Sequence, residues 1–373
     1  MKRRTVILIF IIGAVMSLNA FFRMAIFGRM PSGARLKRIK KSPNYRDGAF
    51  QNQSFTPDLT EGATYYTVMK EFALGDKKGQ KPETKIPSHK TDLLHLDLKE
   101  NVLIWFGHSS YFIQIDGKKI LMDPVLSGNA SPLSFTTKAF EGTDRYSVDD
   151  FPEIDYLFIS HDHYDHLDYK TIVKLKSKVK AVITGLGTGE HLEYWGYDPK
   201  IIIEKDWNET IDLGGGFLVN TTPARHFSGR MIKRNQALWT SFALKTPSQN
   251  LFLGGDSGYD KHFAEIGEKF GPFDLAILEN GQYNKSWKHI HLMPHEILQA
   301  AKDLKAKRLF PVHSSKFALA NHRWDEPLNK IIENNKAENL NIITPMIGEK
   351  VNLNDLNQKF TEWWKSVKIN YHG

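Results

Sequence analysis

Ser160-His161-Asp162-His163-Tyr164-Asp165-His166 follows the apolar run Tyr156–Ile159, and the reading of this stretch decides the fold. An apolar run of strand length that ends in a polar loop can aim several side chains at one point. His161 and His163 are two residues apart, so extended backbone puts them on one face. Asp165 and His166 follow after a turn. Four ligand-type residues within six positions are more than a solvated loop needs, and they predict a metal site.

Three later residues extend the set. His226 ends Thr221-Thr222-Pro223-Ala224-Arg225-His226. Asp256 stands in Gly254-Gly255-Asp256-Ser257-Gly258, after Leu251-Phe252-Leu253. His313 follows Phe310-Pro311-Val312. Each lies just past an apolar strand, so ligands from four strand ends are expected on one rim of a sheet.

Outward from this centre the texture is of short apolar runs. Val102–Phe106, Tyr111–Ile115, Lys118–Met122, Tyr156–Ser160, Val179–Thr184, Phe217–Thr221, Leu238–Leu244, Leu251–Leu253, Leu275–Leu278 and Arg308–Val312 read as strands, with Asp116-Gly117 as a tight turn. Asp260–Lys269 and Pro294–Lys305 read as helices. This mixture predicts a layered α/β domain, with helices covering sheet faces, over residues 91–350. Downstream, Phe360, Trp363, Trp364 and Val367 recur at helical spacing and predict a docked helix within residues 351–373. Upstream, residues 31–90 read as an extended polar arm that packs through Tyr45, Phe50 and Phe55.

The first 30 residues form a third segment. Lys2, Arg3 and Arg4 precede an apolar run, Val6–Phe22, just long enough to cross a bilayer, which takes about 17–25 residues. A cleaved signal would have to use Leu18-Asn19-Ala20, where Leu18 is bulky, so an uncleaved anchor is preferred. Basic residues flank both sides, which leaves the side of the membrane open. No ligand lies in residues 1–30, so a chain lacking them is expected to fold and hold metal.

Composition narrows the chemistry. The 373 residues are 41% hydrophobic and 25% charged, those of a globular protein with a real core. There is no cysteine, which excludes disulfides, thiolate metal sites and cysteine nucleophiles. A metal here is held by His, Asp or Glu, which suits two Zn2+, with Mn2+ or Fe as alternatives. The net charge of +8 is concentrated near the N-terminus, at Arg23, Arg29, Arg35, Lys37, Arg38, Lys40 and Lys41. That placement points to a lipid surface rather than to nucleic acid.

His161-Asp162-His163-Tyr164-Asp165-His166 resembles the HxHxDH signature of the metallo-β-lactamase superfamily, with His226, Asp256 and His313 in the expected order. The resemblance spans about residues 100–325. It implies an αβ/βα four-layer sandwich with a dinuclear site on one edge. It also implies His161, His163 and His226 on one metal, Asp165, His166 and His313 on the other, and Asp256 bridging. Gly107-His108-Ser109-Ser110, Met122-Asp123-Pro124-Val125-Leu126-Ser127, Ala130-Ser131-Pro132, Pro223-Ala224-Arg225-His226-Phe227-Ser228-Gly229-Arg230, Gly271-Pro272-Phe273-Asp274-Leu275 and Phe317-Ala318-Leu319-Ala320 resemble, more narrowly, the N-acyl-phosphatidylethanolamine-hydrolysing phospholipase D family. Membership would imply cleavage of a phosphodiester in a membrane lipid, yielding an N-acylethanolamine and phosphatidic acid. Glu279-Asn280-Gly281-Gln282-Tyr283 and Ser314-Ser315 depart from that family's pattern.

The expected chemistry is a hydroxide bridging two metals, which also clamp the attacking and leaving oxygens. Asp165 is expected to orient that hydroxide as well as bind metal. Asp123 is expected behind a ligand histidine, fixing its tautomer. His108 is expected in a capping or core role, with an approach to the site from its Gly107 turn as the alternative. His291, before the helix opened by Pro294, is expected at the substrate phosphate by the resemblance, with Gln282 and Tyr283 lining the same mouth. Arg225 and Arg230 are candidates to attract an anionic lipid. The same metals would serve a lactone or carboxylic-ester hydrolase. A nuclease would need an insertion to clamp nucleic acid, and none is visible between the metal motifs. The complete ligand set argues against a non-catalytic binding protein.

Overall fold

The structure, a computed structural model, describes residues 12–13, 16–230 and 232–368. Residues 6–11, 14 and 15 of the apolar run Val6–Phe22 lie outside them. Among the described residues no helix is long and apolar enough to cross a membrane.

In chain order the strands of the main sheets are β1 (Val102–Trp105), β2 (Tyr111–Ile115), β3 (Lys118–Met122), β4 (Ile154–Ile159), β5 (Val179–Gly185), β6 (Ile202–Lys205), β7 (Thr210–Gly214), β8 (Phe217–Thr222), β9 (Ser241–Lys245), β10 (Asn250–Leu253), β11 (Leu275–Glu279), β12 (Arg308–Val312), β13 (Asn341–Ile342) and β14 (Lys350–Asn352). They form two seven-stranded sheets, β14-β1-β2-β3-β4-β5-β6 and β13-β12-β11-β10-β9-β8-β7. The step from β3 through β6 is parallel, as is the step from β10 through β13.

Side-chain alternation explains the layers. In β2, Tyr111, Ile113 and Ile115 enter the core between the sheets, while Phe112 enters the core on the outer face. A strand apolar on both faces is one covered on both sides. The inter-sheet core joins Phe158, Phe242, Leu253, Ile277 and Phe310. Outside the first sheet, Ile172, Leu175 and Leu192 cover Leu121, Leu157 and Ile159. Outside the second, Phe263, Ile266, Ile297 and Ile331 cover Phe252, Ala276 and Leu278. The layers therefore run helix, sheet, sheet, helix.

Several expectations need correction. The strand expected over Leu238–Leu244 begins only at Ser241, because Leu238 N–H donates to Leu186 O and Thr240 N–H to Ser160 O, both in the other half of the domain. Trp363, Trp364 and Val367 are buried in the inter-sheet core, but the two tryptophans sit on a single 3-10 turn, Trp363–Ser366, with Val367 just past it, not on a docked α-helix. The arm contains helices at Gly33–Ile39 and Tyr65–Leu74. It docks through Phe50 and Ile39, which pack with Trp207, Leu238 and Trp239, whereas Phe55 is 88% exposed.

The basic N-terminal run is partly consumed inside the protein. Arg35 pairs with Glu190 (2.8 Å), Glu193 (2.9 Å) and Glu204 (2.7 Å), and Arg29 pairs with Glu190 (2.7 Å). Phe27 is buried beside Tyr164, and the Arg230 guanidinium donates to Ile26 O at 2.8 Å. Contacts to the main domain therefore extend upstream of residue 30, and a deletion ending there would strip them.

Candidate metal centre

The carboxyl ends of β4, β8, β10, β11 and β12 converge on one rim, the edge at which open α/β sheets place their sites. His161, His163, Asp165 and His166 follow β4, His226 follows β8, Asp256 follows β10 and His313 follows β12. All seven converge. His161 Nε2 lies 2.9 Å from His163 Nδ1, and His226 Nε2 lies 3.3 Å from that same nitrogen. Asp165, His166 and His313 form a second group, with His166 Nε2 3.5 Å and His313 Nε2 3.4 Å from Asp165 Oδ2. Asp256 Oδ2 stands between the groups, 3.1 Å from His313, 3.2 Å from His166, 3.7 Å from His226 and 3.9 Å from His161. Close packing lets Asp256 reach this position. A Cβ on Gly255 would lie 2.7 Å from the Ser160 Cβ, and one on Gly258 would lie 2.0 Å from His289 O.

The far sides of the rings of His161, His166, His226 and His313 are tied down. His161 Nδ1 meets Ser160 Oγ (2.9 Å), His166 Nδ1 meets Asp123 Oδ2 (2.8 Å), and His226 Nδ1 meets Ile290 O (2.9 Å). His313 Nδ1 is flanked by Gly281 O and Glu279 Oε2, each at 3.4 Å. Partners of this kind fix the tautomer and direct Nε2 toward the centre. His166 Nε2 and Asp256 Oδ1 are buried and have no hydrogen-bond partner. Buried polar atoms without partners are costly. Five imidazoles and two carboxylates facing inward form a donor set that suits a pair of divalent cations.

Asp123 stands behind His166, and Ser160 Oγ donates to it at 2.5 Å. His291 lies on the cavity wall, its ring centre 5.1 Å from that of His226 and 5.2 Å from that of His313. Gln282 lines the cavity, but its side-chain amide is engaged by the backbone, donating to His313 O and Phe317 O and accepting from Leu319 and Ala320. Tyr283 is not at the mouth: it is buried, stacked on His322, and its hydroxyl donates to Glu326. His108 is no remote core residue, since its Nε2 meets Asp165 Oδ2 at 2.9 Å. Arg225 and Arg230 are not free for a lipid. Arg225 grips Thr56, Phe55 O and Tyr259 O, and buried Arg230 braces the metal loop through Asp162 O and Leu167 O.

Two residues escaped the sequence reading. Glu279 ends β11, where its Oε2 meets His291 Nδ1 at 2.6 Å and its Oε1 accepts from Ser257 and Leu292. It too is a carboxylate just past a strand core, a signal that was present. Asn52, in the arm, clasps both backbone sides of His226, donating to its carbonyl (2.8 Å) and accepting from its N–H (3.1 Å). No local pattern marks Asn52, because its role arises only when the arm docks.

Electrostatics separate the two groups. Burial pushes His161 and His226 well below the usual imidazole range and His163 down to about 4. Burial also opposes protonation of His166 and His313, but Asp256 and Asp165 outweigh it and hold both well above that range. Metal must displace protons from His166 and His313, and this competition strengthens as pH falls. Elemental analysis should therefore give about two ions per chain after supplementation near neutral pH. Dialysis at stepwise lower pH should release them, since protons compete with metal for the imidazoles. A stoichiometry near zero at neutral pH would sink the dinuclear reading, and retention of both ions well below the imidazole range would refute histidine ligation.

A family model described as a β-lactamase superfamily domain matches residues 118–314. An uncharacterised protein of Mycobacterium tuberculosis is 35% identical over 330 residues, covering 87% of this chain and 88% of its own. The N-acyl-phosphatidylethanolamine-hydrolyzing phospholipase D 1 of Caenorhabditis elegans is 31% identical over 248 residues, covering 61% of this chain and 68% of that protein. Among solved structures, Igni18, a metallo hydrolase from the archaeon Ignicoccus hospitalis, matches with a TM-score of 0.50 at 21% identity, covering 67% of this chain and 97% of its own.

Proposed function

Because this chain belongs to the metallo-β-lactamase superfamily and is a metal-dependent hydrolase, we propose that it is a phosphodiesterase of phospholipase D type acting on N-acyl-phosphatidylethanolamine-like lipids. The observation that carries this reading is the cavity over the ligand cluster. It measures about 450 Å³, and Leu59, Phe227, Trp287, Ile290 and Leu319 give it apolar walls above a floor of His and Asp. Such a space takes an acyl-bearing substrate with its polar group down. The named activity of the Caenorhabditis elegans relative supports the same choice.

Two Zn2+, or Mn2+ or Fe in their place, would be held by His161, His163 and His226 and by Asp165, His166 and His313, with Asp256 serving both groups, and would supply Lewis acidity and an activated water at neutral pH. The chain's own residues do the rest. Both Asp165 and Asp256 line the cavity, but Asp165 is 14% exposed against 3% for Asp256, so it is the more open carboxylate and orients the attacking water. Glu279 holds His291 by Nδ1, which leaves Nε2 for a non-bridging oxygen of the substrate. The apolar walls keep bulk water from the reacting group.

Metal-loaded full-length protein should release phosphatidic acid and an N-acylethanolamine from mixed micelles of N-acyl-phosphatidylethanolamine, measured by mass spectrometry. A lactone offered in parallel should turn over more slowly. Activity on the lactone alone would overturn the phosphodiesterase reading and leave the metal centre standing.

A further inference from the structure

Among the described residues that wall the cavity, Arg234 is the one with a permanent positive charge. Its guanidinium carbon lies 3.9 Å from the centre of the Phe227 ring. That ring is 4.4 Å from the ring of His163 and 4.8 Å from that of His226. One aromatic ring thus separates the charge from two metal ligands. The loop that carries it, between β8 and β9, is pinned. Asn235 N–H donates to Ser228 O, Phe50 N–H donates to Asn235 O, and Gln236 Nε2 donates to the Arg234 carbonyl.

The partner of Arg234 comes from the arm. Asp58 Oδ2 lies 3.2 Å from Arg234 Nη1, and the Tyr65 hydroxyl donates to a carboxylate oxygen of Asp58 at 2.9 Å. The pair is solvent-accessible, with side chains 38% and 57% exposed, and exposed pairs contribute little to folding. The Arg234 Nε is buried without a hydrogen-bond partner. A guanidinium offers a planar fork of donors that matches an oxyanion, and this one is only partly used.

We infer that Arg234 makes the site select anionic substrates: it receives an oxyanion of the substrate, phosphate or carboxylate, on the mouth side of Phe227, and Asp58 is the counter-ion that this group displaces. The choice of a phosphodiester as the natural substrate rests on the function proposed above, whereas the charge preference does not.

The test compares wild type, Arg234→Ala, Arg234→Lys and Asp58→Asn, all metal-loaded and full length. Their substrates are bis(4-nitrophenyl) phosphate, which is anionic, and 4-nitrophenyl acetate, which is neutral. Arg234→Ala should raise KM for the anionic substrate by roughly 10- to 100-fold, the loss of one charge-assisted hydrogen bond. The effect on the neutral substrate should be several-fold smaller. Arg234→Lys should recover part of the loss, and Asp58→Asn should lower KM for the anion. Equal effects of Arg234→Ala on both substrates, or none on either, would make Arg234 a packing residue on Phe227 and overturn the inference. Calorimetric titration with inorganic phosphate reads the same contrast without turnover. Wild type that binds phosphate through Arg234 yet fails to cleave the diester would refute the proposed function alone. Wild type that cleaves the diester with no dependence on Arg234 would refute the inference alone.

Discussion

Asp256→Ala should empty both halves of the centre. Its Oδ2 is within 3.9 Å of four ligand histidines, two in each group. Burial alone would raise this carboxyl, but His166 and His313 hold it well below the usual carboxylate range, so it is the charge that offsets a cation on either side. Removing it deletes a shared ligand and leaves the two groups less well matched to divalent ions. Metal content should fall from about two per chain toward zero. Turnover should fall by more than about 10³-fold, the scale of loss when one member of a cooperating catalytic unit is removed. Elemental analysis and kinetics on the same preparation decide this. A variant with full metal and full activity would remove Asp256 from the site.

His291→Ala should lower turnover by roughly 10²–10³-fold, the typical loss of one oxyanion donor. The loss should be larger for a phosphodiester than for a lactone, because the phosphoryl oxygens carry more charge. Alanine is not a silent replacement, however. Glu279 Oε2 would keep only the 3.4 Å contact to His313, and a buried carboxylate oxygen left short of a partner costs about 1–3 kcal/mol. His291→Gln retains a polar group and separates chemistry from stability. Glu279→Gln should lower turnover through His291, and the double variant His291→Ala, Glu279→Gln should be little worse than His291→Ala alone, since the two act as one unit. Full additivity in that cycle would separate Glu279 from His291. Equal small losses on both substrates would make His291 an ordinary wall residue.

Much of this could be read before any coordinates. Ligands and strands share one cause: an apolar run long enough to be a strand stops at the sheet rim, so the residues immediately after it stand on that rim. His161, His226, Asp256 and His313 all obey this, so the site and the sheet edge were read together. Elements without that contrast were harder to find. β6, Ile202–Lys205, is short, and β7, Thr210–Gly214, turns only Ile211 and Leu213 toward the core. The helix Glu326–Glu338 carries its buried residues, Pro327, Leu328 and Ile331, among many polar ones. The C-terminal Trp pair keeps its burial but not its helix, because two large indoles can fill the core from one tight turn.

By itself the sequence marked the candidate ligands, their order along the chain and a layered mixture of strands and helices, while the two-sheet sandwich was implied by the family resemblance. The ligands, their order and the layered mixture depend on residue type and local period alone. Only the tertiary structure decided which side chains support the ligands and which face the substrate. Asn52 reaches His226 from 174 positions away, Asp58 reaches Arg234 through the docked arm, and Arg230 turns inward to brace the metal loop where its flanking position suggested a lipid contact. Tyr283 turns the other way, onto His322, although it is adjacent to Gln282 in sequence. A ligand is marked by its own chemistry, but a supporting residue is marked only by what folding places beside it, and that distance is set by packing rather than by sequence.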